Sequence, residues 1–257
     1  MASGSMSPWW RIFVPRLSDG AGRARWLGAV VAAAALASTG AAAADELKPY
    51  TATYNGIWRG LTVAVSTLKL EQTGDTWTFS SRSEPRGIGK MASGVFPPLQ
   101  VSVVRITDQG VQPQSFKSSG GDPGKSIELN YDWQTHRVRG TYEGTPVDLP
   151  LTPQVQDDGS VQLALMVELL AGRTPPSVQL IDKNSVRDYE FTRDGEATIK
   201  TLLGDVPTVI FKSQKKYSPR VTRFWCAPER GFVPMKVQQK KGDDVQWTLE
   251  IQSLKRQ

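Results

Sequence analysis

The chain has 257 residues, 31 basic and 25 acidic, with one histidine, one cysteine and a formal net charge of +6. A single cysteine excludes an internal disulfide, and one histidine with one cysteine is too thin a set for a zinc centre. The charge is too evenly mixed for a nucleic-acid binder, which concentrates a basic stripe.

The first 44 residues read as a targeting segment. Arg23 and Arg25 precede the apolar run WLGAVVAAAALASTGAAAA, Trp26 to Ala44, which ends on small residues in an A-x-A pattern just before Asp45-Glu46. A membrane anchor needs roughly 20 strongly apolar residues, and this run is mostly alanine. The expectation is a signal peptide over 1–44, cut after Ala44, that exports residues 45–257 to the periplasm as a single soluble domain. The general export route is expected, because no twin arginine precedes the run, and no cysteine stands near the cut to take a lipid. Met6 offers a second start. The leader carries Arg11, Arg16, Arg23 and Arg25 against Asp19, which leaves 27 basic and 24 acidic residues in the mature chain. No later apolar stretch is long enough to span a membrane.

Beyond the leader the dominant pattern has period two. Strands are expected at Tyr50–Trp58, Leu61–Leu70, Thr76–Arg82 and Val101–Thr107. In SIELNYDW (Ser126–Trp133), Ile127, Leu129, Tyr131 and Trp133 share one face. Further strands follow at Arg137–Tyr142, Val178–Ile181, Arg187–Phe191, Ala197–Thr201, Thr208–Ser213 and Thr222–Cys226. VQWTLEIQSL (Val245–Leu254) puts Val245, Trp247, Leu249 and Ile251 on one face. Turns are expected at Thr73-Gly74-Asp75, Asp108-Gln109-Gly110, Glu143-Gly144, Arg193-Asp194-Gly195 and Lys241-Gly242-Asp243. Many short alternating strands with regular turn chemistry predict a mainly β fold: an antiparallel barrel, half-barrel or curved sheet.

One segment breaks the pattern. SVQLALMVELLAG, Ser160 to Gly172, predicts a central helix, apolar nearly all round and therefore mostly buried. Ser160 is placed to cap it, Asp157 and Asp158 favour the positive end of its dipole, and Gly172 suits the position after its end. The helix is expected to plug one end of a barrel or to pack across an open sheet.

The order of motifs resembles the domain-of-unknown-function 3108 family of exported bacterial proteins. The resemblance rests on YTATYNGIWRGLTVAVSTLKL (Tyr50–Leu70), GVQPQSFKSS (Gly110–Ser119), LNYDWQTHRVRG (Leu129–Gly140) and DLPLTPQVQDDGSVQLALMVELLAG (Asp148–Gly172). It continues in EATIKTLLGDVPTVIFKS (Glu196–Ser213) and RFWCAPERGFVPMKVQ (Arg223–Gln238). It covers about residues 47 to 255. The helix lead-in DDGS departs from the family pattern, as does Cys226 where an aliphatic residue is ordinary. The family carries no assigned activity, so the resemblance implies fold and location and not a reaction.

Chemistry-bearing residues are sparse. Cys226 shares a strand face with Phe224 and reads as a small buried hydrophobe. His136 sits among polar residues in a hairpin and reads as a solvated turn residue. No catalytic, metal or cofactor site is expected from the motifs present.

Two segments suggest binding. PRGIGKMASGVFPPLQ (Pro85–Gln100) supplies Ile88, Met91 and Phe96, which with Leu163, Met166 and Leu170 of the helix are the candidate lining of an apolar site. KSQKKYSPR (Lys212–Arg220) supplies Lys215, Lys216 and Arg220, joined by Lys236, Lys240 and Lys241, as a candidate contact for anionic headgroups or glycans. The leading expectation is a non-enzymatic envelope domain that binds a lipid, an acyl chain or a glycolipid. The alternatives are a scaffold or interaction module with a solid core that docks an envelope protein, and a carboxylate-based hydrolase. Mass spectrometry of protein recovered from the periplasmic fraction is expected to give a chain that begins at Asp45; a retained leader would overturn the export reading.

Overall fold

The computed structural model describes residues 47–89, 99–120, 124, 126–175 and 177–256. The expected signal peptide over residues 1–44, Met91 and Phe96 lie outside them.

The first half of the chain forms β1 (Tyr50–Trp58), β2 (Leu61–Thr73), β3 (Thr76–Pro85), β4 (Leu99–Thr107), β5 (Gly110–Ser119), β6 (Ile127–Asp132), β7 (Arg137–Tyr142) and β8 (Thr145–Pro150). After β9 (Val155–Gln156) comes helix α1 (Ser160–Leu170). The second half forms β10 (Val178–Asp182), β11 (Ser185–Thr201), β12 (Gly204–Lys215), β13 (Arg220–Ala227), β14 (Val233–Lys241) and β15 (Asp244–Arg256).

All fifteen strands belong to one sheet, ordered β8-β7-β6-β5-β4-β3-β2-β1-β15-β14-β13-β12-β11-β10-β9. Two antiparallel meanders are joined at its centre, where Tyr50 of β1 pairs with Arg256 of β15. Among the described residues, only β9 and β10 run parallel. The sheet is not closed: β8 and β9 are its edges.

It curls instead until it overlaps itself. Gln156 Nε2 of β9 donates to the carbonyl of Val111 in β5 at 2.9 Å, which brings one edge against the other half. Strand β10 is then buried on both faces. Val178 and Leu180 join the main core, whereas Ile181 joins a second cluster with Phe116, Leu129, Val138 and Val147 from β5–β8. The expected half-barrel is therefore a wrapped sheet whose seam is packed by side chains and not closed by a strand-to-strand ladder.

The main core fills the concave side. β3 shows how the sequence writes it: Trp77, Phe79, Ser81 and Ser83 are buried, while Arg82 and Glu84, out of phase with them, are exposed. Helix α1 lies in this trough near the start of β1. Tyr50 Oη accepts from Gln162 Nε2 at 3.1 Å and donates to Met166 Sδ at 3.9 Å. Val161, Leu163, Leu165, Met166 and Leu169 are buried, and Ala164, Val167 and Glu168 form the outer stripe.

The helix starts and stops by different chemistry. Ser160 is its first residue and not its cap. Asp157 Oδ1 accepts the backbone N–H groups of Gly159 and Ser160, at 2.9 and 2.8 Å, so a carboxylate satisfies amides that the helix leaves unpaired. Ser160 Oγ accepts from the Asp157 N–H at 2.8 Å. At the other end Gly172, at φ 67°, donates to the Leu169 carbonyl while Arg173 donates to that of Glu168. This is the doubly bonded left-handed ending that favours glycine. Gly159 is fixed by close approach, since a Cβ there would lie 2.8 Å from that of Ser102 in β4.

The structure differs from the sequence expectation at Arg193-Asp194-Gly195. No turn forms there; β11 continues for 17 residues through a bulge, with Gly195 at φ 119°. The strand continues because Asp194 finds partners beside the bulge, taking Arg223 Nε at 2.6 Å and pairing with Lys212 Nζ at 3.7 Å. Val245 also departs from its face: it is 44% exposed, while Trp247, Leu249 and Ile251 are buried. Several strands are also longer than expected, β2 and β15 reaching 13 residues each.

Leu163 is fully buried and Leu202, on the β11–β12 turn, is 73% exposed. Urea denaturation is expected to show Leu163→Ala lowering stability by about 2–4 kcal/mol. Leu202→Ala should stay within about 0.5 kcal/mol of the parent. Equal effects would mean that α1 is not packed in the trough.

Candidate functional site

The concave face is not uniformly apolar. On β3 and β4, Ser81, Ser83, Gln100 and Ser102 occupy inward positions in phase with Phe79 and Val104, and all four are buried. Ser83 Oγ shares a 2.7 Å hydrogen bond with Ser66 of β2. Across the trough, Gln239 Nε2 of β14 donates to Thr222 Oγ1 of β13 at 3.1 Å.

Between these walls, above the start of α1, is a cavity of about 30 Å³. Its apolar wall comes from Tyr54, Leu68 and Phe79 on one side and from Phe224, Val237, Trp247 and Leu249 on the other. Its polar lining is Ser81, Gln100, Asp158 and Gln162. Ser81 Oγ is buried without a hydrogen-bond partner. Such a hydroxyl costs about 1–3 kcal/mol relative to a satisfied one.

Two buried tyrosines frame the site. Burial pushes the phenols of Tyr50 and Tyr54 up, so both stay protonated donors. Tyr54 Oη donates to the carbonyl of Pro234 at 2.8 Å and so ties β1 to β14.

Asp157 sits beneath the cavity, 3% exposed. Burial pushes its carboxyl up to about 6, against the pull of hydrogen bonds from Ser160, Ser102 and Gly159. Ser102 Oγ donates to Oδ2 at 2.9 Å. With Oδ1 holding the helix start, both oxygens are engaged, so Asp157 is a positioning group and presents neither oxygen to a ligand. Tyr131 of β6 has its phenol pushed up by burial and by the charges of Asp157 and Asp158, and its Oη has no partner.

The sequence-predicted residues scatter around this centre. Leu163 and Met166 are inside the core cluster, Leu170 is half-buried, and Ile88 is 47% exposed. The residues of the helix segment that line the cavity are Asp158 and Gln162. Lys215, Lys216 and Arg220 stand at the β12–β13 hairpin tip, with Lys216 Nζ 5.2 Å from the centre of the Tyr217 ring. Lys240 and Lys241 pair in register with Val221 and Arg220 and share that rim. Lys236 does not: it lies down β14, bonded to Glu250 at 2.9 Å and 5.7 Å from the Trp225 ring.

Cys226 is fully buried, and burial pushes its thiol up, away from the reactive thiolate form. His136 is exposed on the β6–β7 turn at φ 52°. Among the described residues, no group of three or more His, Cys, Asp or Glu side chains is placed to hold a metal ion. Among the same residues, no helix is long and apolar enough to cross a membrane.

The polar pole escapes a search for motifs because serine and glutamine carry no spacing signature. The signal that does exist is phase: in TWTFSSRS, Ser81 and Ser83 occupy the face that Trp77 and Phe79 mark as buried.

Fold and site together define a wrapped antiparallel sheet around one buried helix, with a small polar pole in an apolar trough. The chain belongs to the family described as "Protein of unknown function (DUF3108)", whose profile matches residues 49–246. Comparison with curated proteins returns no match.

The Asp157 carboxyl titrates higher in the fold than in the unfolded chain, where the ordinary value is 3.8. Well below pH 3.8 it is protonated in both states. As pH rises toward 6 the unfolded chain ionises first, so this group's contribution to stability falls. Asp157→Asn keeps an acceptor for the two N–H groups and removes the titration. Urea denaturation from pH 4 to 7 is expected to show the variant gaining about 2–3 kcal/mol relative to the parent. A difference that does not change with pH would rule the assignment out.

Proposed function

We propose that this protein is an exported, non-catalytic binder of an amphiphile. The polar end is held at Ser81, Gln100, Asp158 and Gln162, and the apolar part lies along the aromatic wall of Phe79, Phe224 and Trp247. The observation that carries the reading is the polar pole inside an otherwise apolar trough, with the Ser81 hydroxyl left unpartnered. A buried hydroxyl of that kind gains most from a ligand group that satisfies it.

The present cavity takes one water-sized group. A ligand with a tail therefore enters by displacing α1, whose inner face is held by dispersion contacts and by the bonds of Tyr50 to Gln162 and Met166. Leu163 and Met166 would then become lining in the opened state, and the candidate lining expected from the sequence would be met there. Periplasmic location is part of the proposal and rests on the leader.

The small cavity also favours a second reading, an interaction module with a solid interior. The carboxylate hydrolase is less well supported, because Asp157 is engaged at both oxygens and only Asp158 faces the cavity.

The test is native mass spectrometry of protein recovered gently from cells, followed by solvent extraction. A discrete excess mass that extraction removes, and that Ser81→Val lowers, is the expected result. A bare chain that takes up no lipid when delipidated protein is offered lipid extract would overturn the binder in favour of the interaction module.

A further inference from the structure

The strands alternate in direction, so the hairpin tips fall on two opposite rims. The turns β1–β2, β12–β13 and β14–β15 share one rim, and β11–β12 is on the other. Among the described residues five large hydrophobics are exposed: Leu61 at 54%, Ile88 at 47%, Leu202 at 73%, Tyr217 at 93% and Val245 at 44%. Four of them stand on the first rim. Leu61 comes from the β1–β2 hairpin, Tyr217 from β12–β13, Val245 from β14–β15, and Ile88 follows β3.

Charge gathers at the same place. The three hairpin tips, residues 57–62, 215–220 and 240–245, hold Arg59, Lys215, Lys216, Arg220, Lys240 and Lys241 against Asp243 and Asp244. The chain as a whole carries 31 basic and 25 acidic residues, so six against two is a local concentration. The cations flank the apolar tips: Arg59 lies over the Trp58 ring at 4.8 Å and Lys216 over Tyr217 at 5.2 Å.

We propose that this rim is a membrane-surface docking face, which sets the apolar tips among the headgroups of an anionic bilayer while the cations pair with lipid phosphates. Separate protruding tips suit a soft planar surface, because each can insert without a matching pocket. Aromatic and aliphatic side chains flanked by Lys and Arg are the composition that such an interface selects. The charge excess complements phosphate and fixes the sign of the partner. This proposal stands on the exterior alone and goes beyond the interior binder.

The test is flotation of protein recovered from cells, its N-terminus read by mass spectrometry, with vesicles of phosphatidylcholine alone or mixed with phosphatidylglycerol. The protein should float with the anionic vesicles and not the neutral ones. At roughly fivefold per cation, the double variant Lys215→Gln/Lys216→Gln should bind about 25-fold more weakly. Tyr217→Ser should also weaken binding, while Leu202→Ser on the opposite rim should not, with urea midpoints confirming that all three fold. Three results would overturn the proposal: no flotation with either vesicle, equal loss in the Leu202→Ser control, or capture by an immobilised anionic polysaccharide without vesicle binding. None of these alters the mass excess that tests the interior binder, so the two readings fail separately.

Discussion

A sheet of fifteen strands with one apolar face has to hide that face and protect two edges, and the rest of this structure follows from how it does so. Full closure would pair the edges through hydrogen bonds. Here the edge strands β8 and β9 are not paired with each other, and the sheet overlaps itself instead. The β10 strand becomes an inner layer, with Leu180 facing the main core and Ile181 facing β5–β8. The seam depends on side-chain packing and on one bond from Gln156 to Val111.

That helix is held by unlike forces at its two ends. Its body is fixed by burial of Leu163, Leu165 and Met166. Its start is fixed by Asp157, which reaches backward to the first amides and sideways to Ser102 of β4. Burial of the carboxylate is unfavourable, and three donors offset part of that cost. The net result is a helix start registered against the sheet to within hydrogen-bond tolerance, directly beneath the polar lining. Gly159 serves the same end by steric means, since any side chain there would push α1 off β4.

Much of the architecture was legible because it rests on alternation. The period-two faces of Ile127-Leu129-Tyr131 and Trp247-Leu249-Ile251 are buried as their spacing implies, and the glycine-marked turns at Gly74, Gly144 and Gly242 join strands where expected. The failures have physical causes. Arg193-Asp194-Gly195 carries turn chemistry, yet neighbouring strands supply Arg223 and Lys212 to Asp194, and tertiary ion pairs keep the strand running. Ser160 looked like a cap, but Asp157 three residues earlier offers a stronger, charged acceptor. Strands β5, β8 and β9 carry weak alternation and owe their place to register with neighbours, which no local window contains. The cavity was the least legible feature, because its walls come from β1–β4, α1 and β13–β15 and meet only once the sheet has curled.

The polar lining is where local economy and fold economy diverge. An apolar residue at 81 would pack against Leu68 and Phe79 without leaving a hydroxyl unsatisfied, and strand propensity would favour it. Serine there instead turns a hydroxyl toward the cavity, with no partner among the described side chains. Gln100, directly opposite in the β3–β4 register, reinforces the point: two small or flexible polar groups face inward where β3 has already committed Trp77 and Phe79 to the core. Polar residues placed by chance on a buried face would tend to pair with each other, as Ser66 and Ser83 do one step along. Ser81 does not. Its hydroxyl borders the cavity instead, above a helix start held in register, where a single water-sized group has room to bond it.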